Sequence, residues 1–279
     1  MNMKDERKQI IVRLHPDLLI KLGKLADSEY RSINGEIEYL VSCAVSESDQ
    51  PDKAFFETTS EFLWDGDTKR LVPMLSREVR LSDLKKYEQE KRALVENTKA
   101  FLLGLPAQNV LLQGGSGTGK TSSVRALVSE YKSEGLRLIK INRRDISDLT
   151  RIIGALSQVD GNYKFILLIT DLPTVEEIDY SGLKAVIDSN VPNLLVYATT
   201  TREDLGVDYF GITVNFALPS KQDFFDILKS LLADRGVYLP DQTLSLEADF
   251  YCMEKGVSLR VARQLAGIIE TKIRLHGKL

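Results

Sequence analysis

Cysteine and histidine are scarce in this chain of 279 residues, with two of each at Cys43, Cys252, His15 and His276. Two cysteines so far apart exclude a disulfide framework. So few histidines leave no material for a His-based metal site or triad. No apolar run reaches bilayer-spanning length. The first residues, MNMKDERKQ, hold no apolar core of the kind a signal peptide needs. Neither sign of charge dominates: 37 basic against 40 acidic residues leave a net of −3. Any surface for nucleic acid must therefore be local. What remains is an ordinary globular balance, 43% hydrophobic and 28% charged, at a length suited to one or two domains. The expectation is a soluble protein of the reducing cytoplasm with no membrane partner.

A polar, proline-bearing stretch at 47–53 divides the chain and reads as a linker. The unit before it is too small to hold a core without help. It opens with a strand in which Ile10, Val12 and Leu14 share one face and Gln9, Ile11 and Arg13 the other. Pro16 and Asp17 suit a helix first turn, and Leu18, Leu22, Leu25 and Ala26 form its apolar stripe. Ser32 is the expected N-cap of a second helix carrying Ile33, Ile37, Leu40, Val41 and Ala44. One strand with two helices leaves an open edge and a half-covered core. A second copy would pair the strands antiparallel and close four helices over them. Residues 1–14 hold four basic groups against two acidic ones, so the charge on that ribbon is positive. Two-stranded ribbons fit the DNA major groove, and a helix start such as Ser32 to Asn34 can hold phosphates.

Residues 8–45, above all Arg31-Ser32-Ile33-Asn34-Gly35-Glu36-Ile37, resemble the Arc-type ribbon-helix-helix DNA-binding family. The resemblance implies that Gln9, Ile11 and Arg13 contact bases of double-stranded DNA, with Ile11 offering only an apolar contact. A dimerisation element that never touches DNA is the other reading.

From Asn109 onward, apolar strands at 109–113, 136–141, 165–170, 193–198 and 212–216 alternate with helical stretches. That pattern indicates an α/β fold with a mostly parallel sheet covered on both faces. The first strand runs into Gly114-Gly115-Ser116-Gly117-Thr118-Gly119-Lys120-Thr121, followed by Ser122 and a helix. This is the phosphate-loop pattern G-x-x-x-x-G-K-[ST], in which glycines let main-chain amides wrap phosphates. Lys120 would neutralise the outer phosphates of ATP and Thr121 would ligate Mg²⁺. A hydrolytic enzyme also needs a metal-side carboxylate, and Asp171, ending the strand Phe165-Ile166-Leu167-Leu168-Ile169-Thr170, is the candidate. Glu176 and Glu177 read more naturally as the solvated first turn of a helix.

Residues 81–266 resemble AAA+ ATPases, nearest the bacterial P-loop ATPases grouped as domain of unknown function 815. The resemblance rests on Asn97-Thr98-Lys99-Ala100-Phe101-Leu102-Leu103-Gly104-Leu105-Pro106, the phosphate loop, Tyr197-Ala198-Thr199-Thr200, Phe210-Gly211-Ile212-Thr213-Val214 and Arg260-Val261-Ala262-Arg263-Gln264. It implies an αβα core with a helical lid from about Lys221, Leu84 and Tyr87 near the adenine, and Arg260 as the second sensor. Helical apolar spacing at 224–232 and 261–273 supports the lid independently. Three positions depart from the family pattern. Thr170 stands where the metal carboxylate is usual, Thr201 matches the first sensor, and Tyr209 replaces an arginine.

These departures around an intact loop suggest ATP binding retained and turnover slowed or lost. The expected organisation is a ribbon-helix-helix domain over 1–48, a connecting segment over 49–80, an AAA+ core over 81–220 and a lid over 221–279. The function this implies is a DNA-binding, self-associating protein gated by ATP, with Lys120, Asp171, Thr201 and Arg260 as catalytic candidates. An active ATPase that remodels or loads protein–DNA complexes, and a repressor using the AAA+ part as scaffold, are the alternatives. The basic residues of 258–279 read chiefly as a solvated helix face.

Overall fold

The computed structural model describes residues 14–28, 32–34, 37, 53–74, 77–157, 159, 162–174, 180–203, 205 and 208–276. They fall in two compact units, Met1–Asp52 and Lys53–Leu279.

In the first unit, α1 (Pro16–Ser28) begins at the proline, whose fixed φ suits a first turn. Of the expected stripe, only Leu22 and Ala26 are buried; Leu18 and Leu25 stay 52% and 41% exposed. So short a unit has too little chain to cover a whole helix face. Ser32 precedes helical Ile33 and Asn34, as a cap would. Gln9, Ile11 and Arg13, and the strand expected there, lie outside the described residues.

The second unit is built on a seven-stranded sheet. Its strands are β1 (Glu61–Asp65), β2 (Arg70–Pro73), β3 (Val110–Gly114), β4 (Leu136–Asn142), β5 (Lys164–Thr170), β6 (Leu194–Thr200) and β7 (Ile212–Phe216). Their order is β2-β1-β4-β5-β6-β3-β7, with all pairs parallel except β1 with β2. All five expected strands are present. In β5 the alternation is clear: Ile166 and Leu168 pack on one face, Phe165, Leu167 and Ile169 on the other. Both faces are buried, which is why the sequence there is apolar without interruption. α2 (Lys53–Thr58), α5 (Leu149–Leu156) and α6 (Ser181–Asp188) cover one face. α3 (Glu88–Leu102) and α4 (Lys120–Tyr131) cover the other.

The segment read as a connector, 49–80, supplies α2, β1 and β2 to this sheet. Phe56 and Phe62 are fully buried, and the Phe56 ring lies 5.0 Å from Phe165 and 5.1 Å from Phe62. Trp64 Nε1 donates to Asp148 at 2.9 Å, and Glu61 pairs with Arg125 at 2.8 Å. With strands of five and four residues, this segment is too short for periodicity to announce it.

The lid holds α7 (Lys221–Ala233), α8 (Asp241–Lys255) and α9 (Leu259–His276). α8 was not anticipated, because only Leu244 and Ala248 of it are buried. Ser220 caps α7, accepting from Asp223 N–H at 3.1 Å, while the Asp223 carboxylate accepts from Ser220 N–H at 2.9 Å. Lid and core share one apolar cluster, in which Leu265, Ala266 and Ile269 join Leu94 and Leu127. A strap before α3 adds polar ties, Lys86 to Asp223 and Lys85 to Asp234 at 2.8 Å.

Phe56→Ala should cost about 3–5 kcal/mol of stability in urea titration. A loss below about 1 kcal/mol would show that this segment is no part of the core. The hydrogen bonds from Lys86 and then Ser220 hold the Asp223 carboxyl at about 2, below its ordinary 3.8. Its contribution is therefore present above pH 4 and lost as pH falls toward 2. Asp223→Asn should be less stable than the parent at neutral pH, with the gap narrowing through that window. A gap that stays constant down to pH 2 would contradict this.

Candidate functional site

The loop between β3 and α4 has a path that only glycine follows with ease. Gly114 has φ +135°, and a Cβ there would sit 2.1 Å from the Phe216 carbonyl oxygen. Gly117 has φ +80°, and a Cβ would lie 2.9 Å from Ser258 Oγ and 3.1 Å from Arg260 Cβ. Thr118 is fully buried and donates to Gly115 O at 2.9 Å, bracing the turn from inside. The first α-helical bond at the start of α4 runs from Ser123 N–H to Gly119 O at 2.8 Å. The amides of Lys120, Thr121 and Ser122 precede it, as the unpartnered first turn of a helix does.

A cleft of about 440 Å³ opens at that helix end. Ser116, Gly117, Gly119, Lys120, Thr121 and Ser122 line it from the loop, Asp171, Thr199 and Thr201 from the strand ends, and Leu259, Arg260, Arg263 and Gln264 from the lid. All four catalytic candidates, Lys120, Asp171, Thr201 and Arg260, thus meet in one place. Gly114, Gly115 and Thr118 shape the loop without lining the cleft.

Lys120 is 7% exposed, and its ammonium donates to Gly114 O at 2.6 Å and Gly115 O at 2.7 Å. Burial pushes its pKa down, Asp171 pulls it back up, and Arg260 adds a smaller push down. Asp171 turns into the left-handed region (φ +56°), and its N–H donates to Thr199 Oγ1 at 3.1 Å. Thr170, the residue at the family's carboxylate position, does not line this cleft. Its hydroxyl lies 3.5 Å from Ile141 O. The lid closes on the loop through Arg260 N–H, which donates to Gly117 O at 3.1 Å. Arg263, its guanidinium pushed down chiefly by burial, donates to Asp83 O at 3.0 Å.

Leu84 and Tyr87, expected near the adenine, do not line this cleft. A left-handed turn at Tyr87 (φ +65°) sends its ring into the core, 5.0 Å from Phe216. Its hydroxyl donates to Ala217 O at 2.6 Å, and burial pushes that phenol up to about 12. Leu84 is buried beside a separate surface cleft under α7. Tyr209 packs beside Tyr180, their ring centroids 6.2 Å apart. Glu176 and Glu177 lie outside the described residues. Ser32 and Asn34 belong to the first unit, where both are exposed. Thr199, Arg263 and Gln264 were missed. The signal for the last two was spacing, since they follow Arg260 by three and four residues on one helix face.

A threonine hydroxyl and a carboxylate in one cleft are the hard oxygen donors that Mg²⁺ takes, alongside phosphate oxygens and water. Thr121 and Asp171 fit that role. Among the described residues, no group of three or more His, Cys, Asp or Glu could hold a metal by itself.

The family model described as "Protein of unknown function (DUF815)" matches residues 57–207 and 206–273. The chain is similar to the replication factor C large subunit of Aeropyrum pernix, 33% identical over 116 residues, covering 40% of this chain and 24% of that protein. It is similar to the same subunit of Thermofilum pendens, 28% identical over 195 residues, covering 64% and 46%. The chain thus spans less than half the length of these relatives. Among solved structures, the Thermotoga maritima RuvB Holliday junction branch migration motor superposes with TM-score 0.52 at 19% identity, covering 71% of this chain and 66% of that one. The FIGL-1 AAA domain in complex with ADP gives TM-score 0.51 at 19% identity, covering 73% and 77%. The likeness to these structures shows an AAA+ fold.

Gly117→Ala should cost about 1–3 kcal/mol in urea titration, from a Cβ forced into the left-handed region against the lid. Amide exchange at Arg260 should quicken with it. Unchanged stability together with unchanged exchange would mean that loop and lid are not in contact.

Proposed function

The chain belongs to the family described as Protein of unknown function (DUF815), and on that premise we propose an AAA+ protein that binds ATP with Mg²⁺ in the phosphate-loop cleft. The observation that carries this reading is the convergence of Lys120, Thr121, Asp171, Thr201 and Arg260 on one cleft between core and lid. Loop amides and Lys120 hold the phosphates, Thr121 and Asp171 take the metal, and Thr201 hydrogen-bonds through its hydroxyl. Arg260 reaches in from the lid, so nucleotide in the cleft biases the lid's position.

In this reading, nucleotide state gates self-association or DNA binding. The first unit dimerises as a ribbon-helix-helix and grips double-stranded DNA through Gln9, Ile11 and Arg13, with Ser32 and Asn34 near phosphates. Ser32 at a helix start and the exposed leucines of α1 support this, since such a surface asks for a second copy. Two relatives whose names place them in replication and branch migration favour DNA as the partner. Hydrolysis is slow because Tyr209 supplies no cation. Among the described residues, no helix is long and apolar enough to cross a membrane.

A second reading, an active ATPase that remodels or loads protein–DNA complexes, is favoured by one observation. Asp171 lines the cleft, so the metal-side carboxylate is kept although Thr170 stands at the usual position.

Lys120→Ala removes the charged hydrogen bonds to phosphate and should weaken ATP binding by about 2–4 kcal/mol, roughly 30- to 700-fold by calorimetry. Equal affinities for parent and variant would end the nucleotide assignment. Measuring DNA binding and phosphate release together separates the two readings. Gating predicts DNA affinity that changes with ATP while release stays slow; the active-enzyme reading predicts DNA-stimulated release that depends on Asp171.

A further inference from the structure

The second lid helix carries apolar side chains on two opposite sides. In α8, Leu244 and Ala248 are buried in the cluster that joins lid and core. Leu246, Phe250 and Met253 lie on the other side, 73%, 74% and 86% exposed. Spaced by four and three residues, they share one face and form a row about 10 Å long. A lone exposed leucine is ordinary, whereas three large apolar groups in one row mark an interaction surface. α9 repeats the spacing with Ile268, Lys272 and Leu275, all three exposed. The two helices are opposite in charge. α8 holds four acids and one lysine, and α9 holds four lysines or arginines and one acid. Most of the acids are matched nearby: Asp241 by Lys229 at 2.7 Å, Asp249 by Lys221 at 3.5 Å, Glu254 by Lys255 at 2.7 Å and Glu270 by Arg274 at 2.8 Å. Among the described residues, no ion pair holds Glu247, one turn before Phe250, or Lys272, in the middle of the α9 row.

We propose that the exposed row of α8 docks on the row of α9 in a second copy of this chain. Both rows are exposed within one chain, so they do not cover each other there. Leu246 and Met253 then pack against Ile268 and Leu275. The Lys272 stem lies over the Phe250 ring, and its ammonium reaches Glu247. Charge selects this pairing over two α8 rows face to face, which would set Glu247 and its acidic neighbours against their own copies. The contact is therefore head to tail: each chain gives one face and receives another, so copies add in a ring or a filament. The two rows are small beside the roughly 800 Å² that each partner gives to a standard interface, so the contact depends on concentration. It is separate from the pairing of first units, and it rests on no part of the nucleotide reading.

The test is sedimentation of the full chain across a concentration series, with Phe250→Glu removing the α8 face and Leu275→Glu the α9 face. Thermal melts should match the parent, because both side chains are exposed. Leu246→Glu serves for the α8 face if Phe250→Glu melts early. Each variant alone should sediment as a smaller species than the parent, its self-association weakened roughly tenfold or more. Mixed one to one, Phe250→Glu and Leu275→Glu should form a larger species again, because each keeps the face that the other has lost. Lys272→Glu should weaken the contact by setting acid against acid, and adding Glu247→Lys to the same chain should restore it. Parent, single variants and mixture all sedimenting alike would overturn the proposal. Loss in Phe250→Glu with Leu275→Glu unaffected would overturn it too, since α8 would then meet α8 or some other partner. Loss in both without recovery in the mixture would equally end the head-to-tail contact. None of these outcomes touches ATP affinity, which the Lys120→Ala comparison decides by itself.

Discussion

The backbone path from Gly114 to Gly119 is the constraint on which the rest of the second unit depends. At its start the chain passes so close to β7 that any side chain on Gly114 would strike the Phe216 carbonyl. At its middle, Gly117 lies against Ser258 and Arg260 of the lid and accepts the Arg260 N–H. At its end, Gly119 takes φ +104° and starts α4. One short loop therefore sets the spacing of an edge strand, the start of a helix and the closure of a subdomain. The same three glycines that make room for phosphate also make room for the protein's own parts. Packing and site cannot be changed separately here.

How much of this was legible in the sequence follows from the length of each signal. The five parallel strands are apolar runs buried on both faces, and a run such as Phe165 to Ile169 can hardly be mistaken. The phosphate loop is a motif whose context, strand before and helix after, is itself readable. The first and last lid helices bury full stripes, so their spacing shows. The edge hairpin did not show, because Phe62 and Trp64 are two buried positions in a five-residue strand. α8 did not show because two buried residues in fifteen leave no stripe. Leu84 and Tyr87 were placed by family likeness rather than by geometry. Two successive left-handed residues, Lys86 and Tyr87, which no propensity announces, turn the tyrosine into the core.

The departures from the family pattern look different in the folded chain. By the resemblance, Thr170 stands where a metal carboxylate is usual. In space the cleft is lined by Asp171, because the chain leaves β5 through a left-handed residue that Thr199 holds by its hydroxyl. Thr199 is nearly fully buried and accepts the Asp171 N–H, so it positions the backbone that carries the acid. A one-residue shift at a strand end moves a side chain to the opposite face. An acid thus lines the cleft one position after Thr170. The loss at Tyr209 is of another kind, since its ring belongs to the apolar packing beside Tyr180.

Electrostatics then ties the elements together. The Lys120 ammonium sits on two loop carbonyls, with Asp171 favouring its charge and both burial and Arg260 opposing it. An anion entering the cleft offers Lys120 a charged acceptor in place of two neutral ones, and charge-assisted bonds are roughly twice as strong. The same anion removes the mutual repulsion of Lys120 and Arg260, one cation from the core and one from the lid. The lid is tied to the core at Gly117, and to the strap before α3 through Lys86, Lys85 and Arg263. A change in the Arg260 environment must therefore act against those four ties, of which the ion pairs at Lys85 and Lys86 are partly exposed and weak. The buried cluster shared by Leu94, Leu127, Leu265 and Ile269 joins lid and core more firmly than these exposed ties. The lid thus rests on a firm apolar base, with a rim of weaker polar contacts around the phosphate loop.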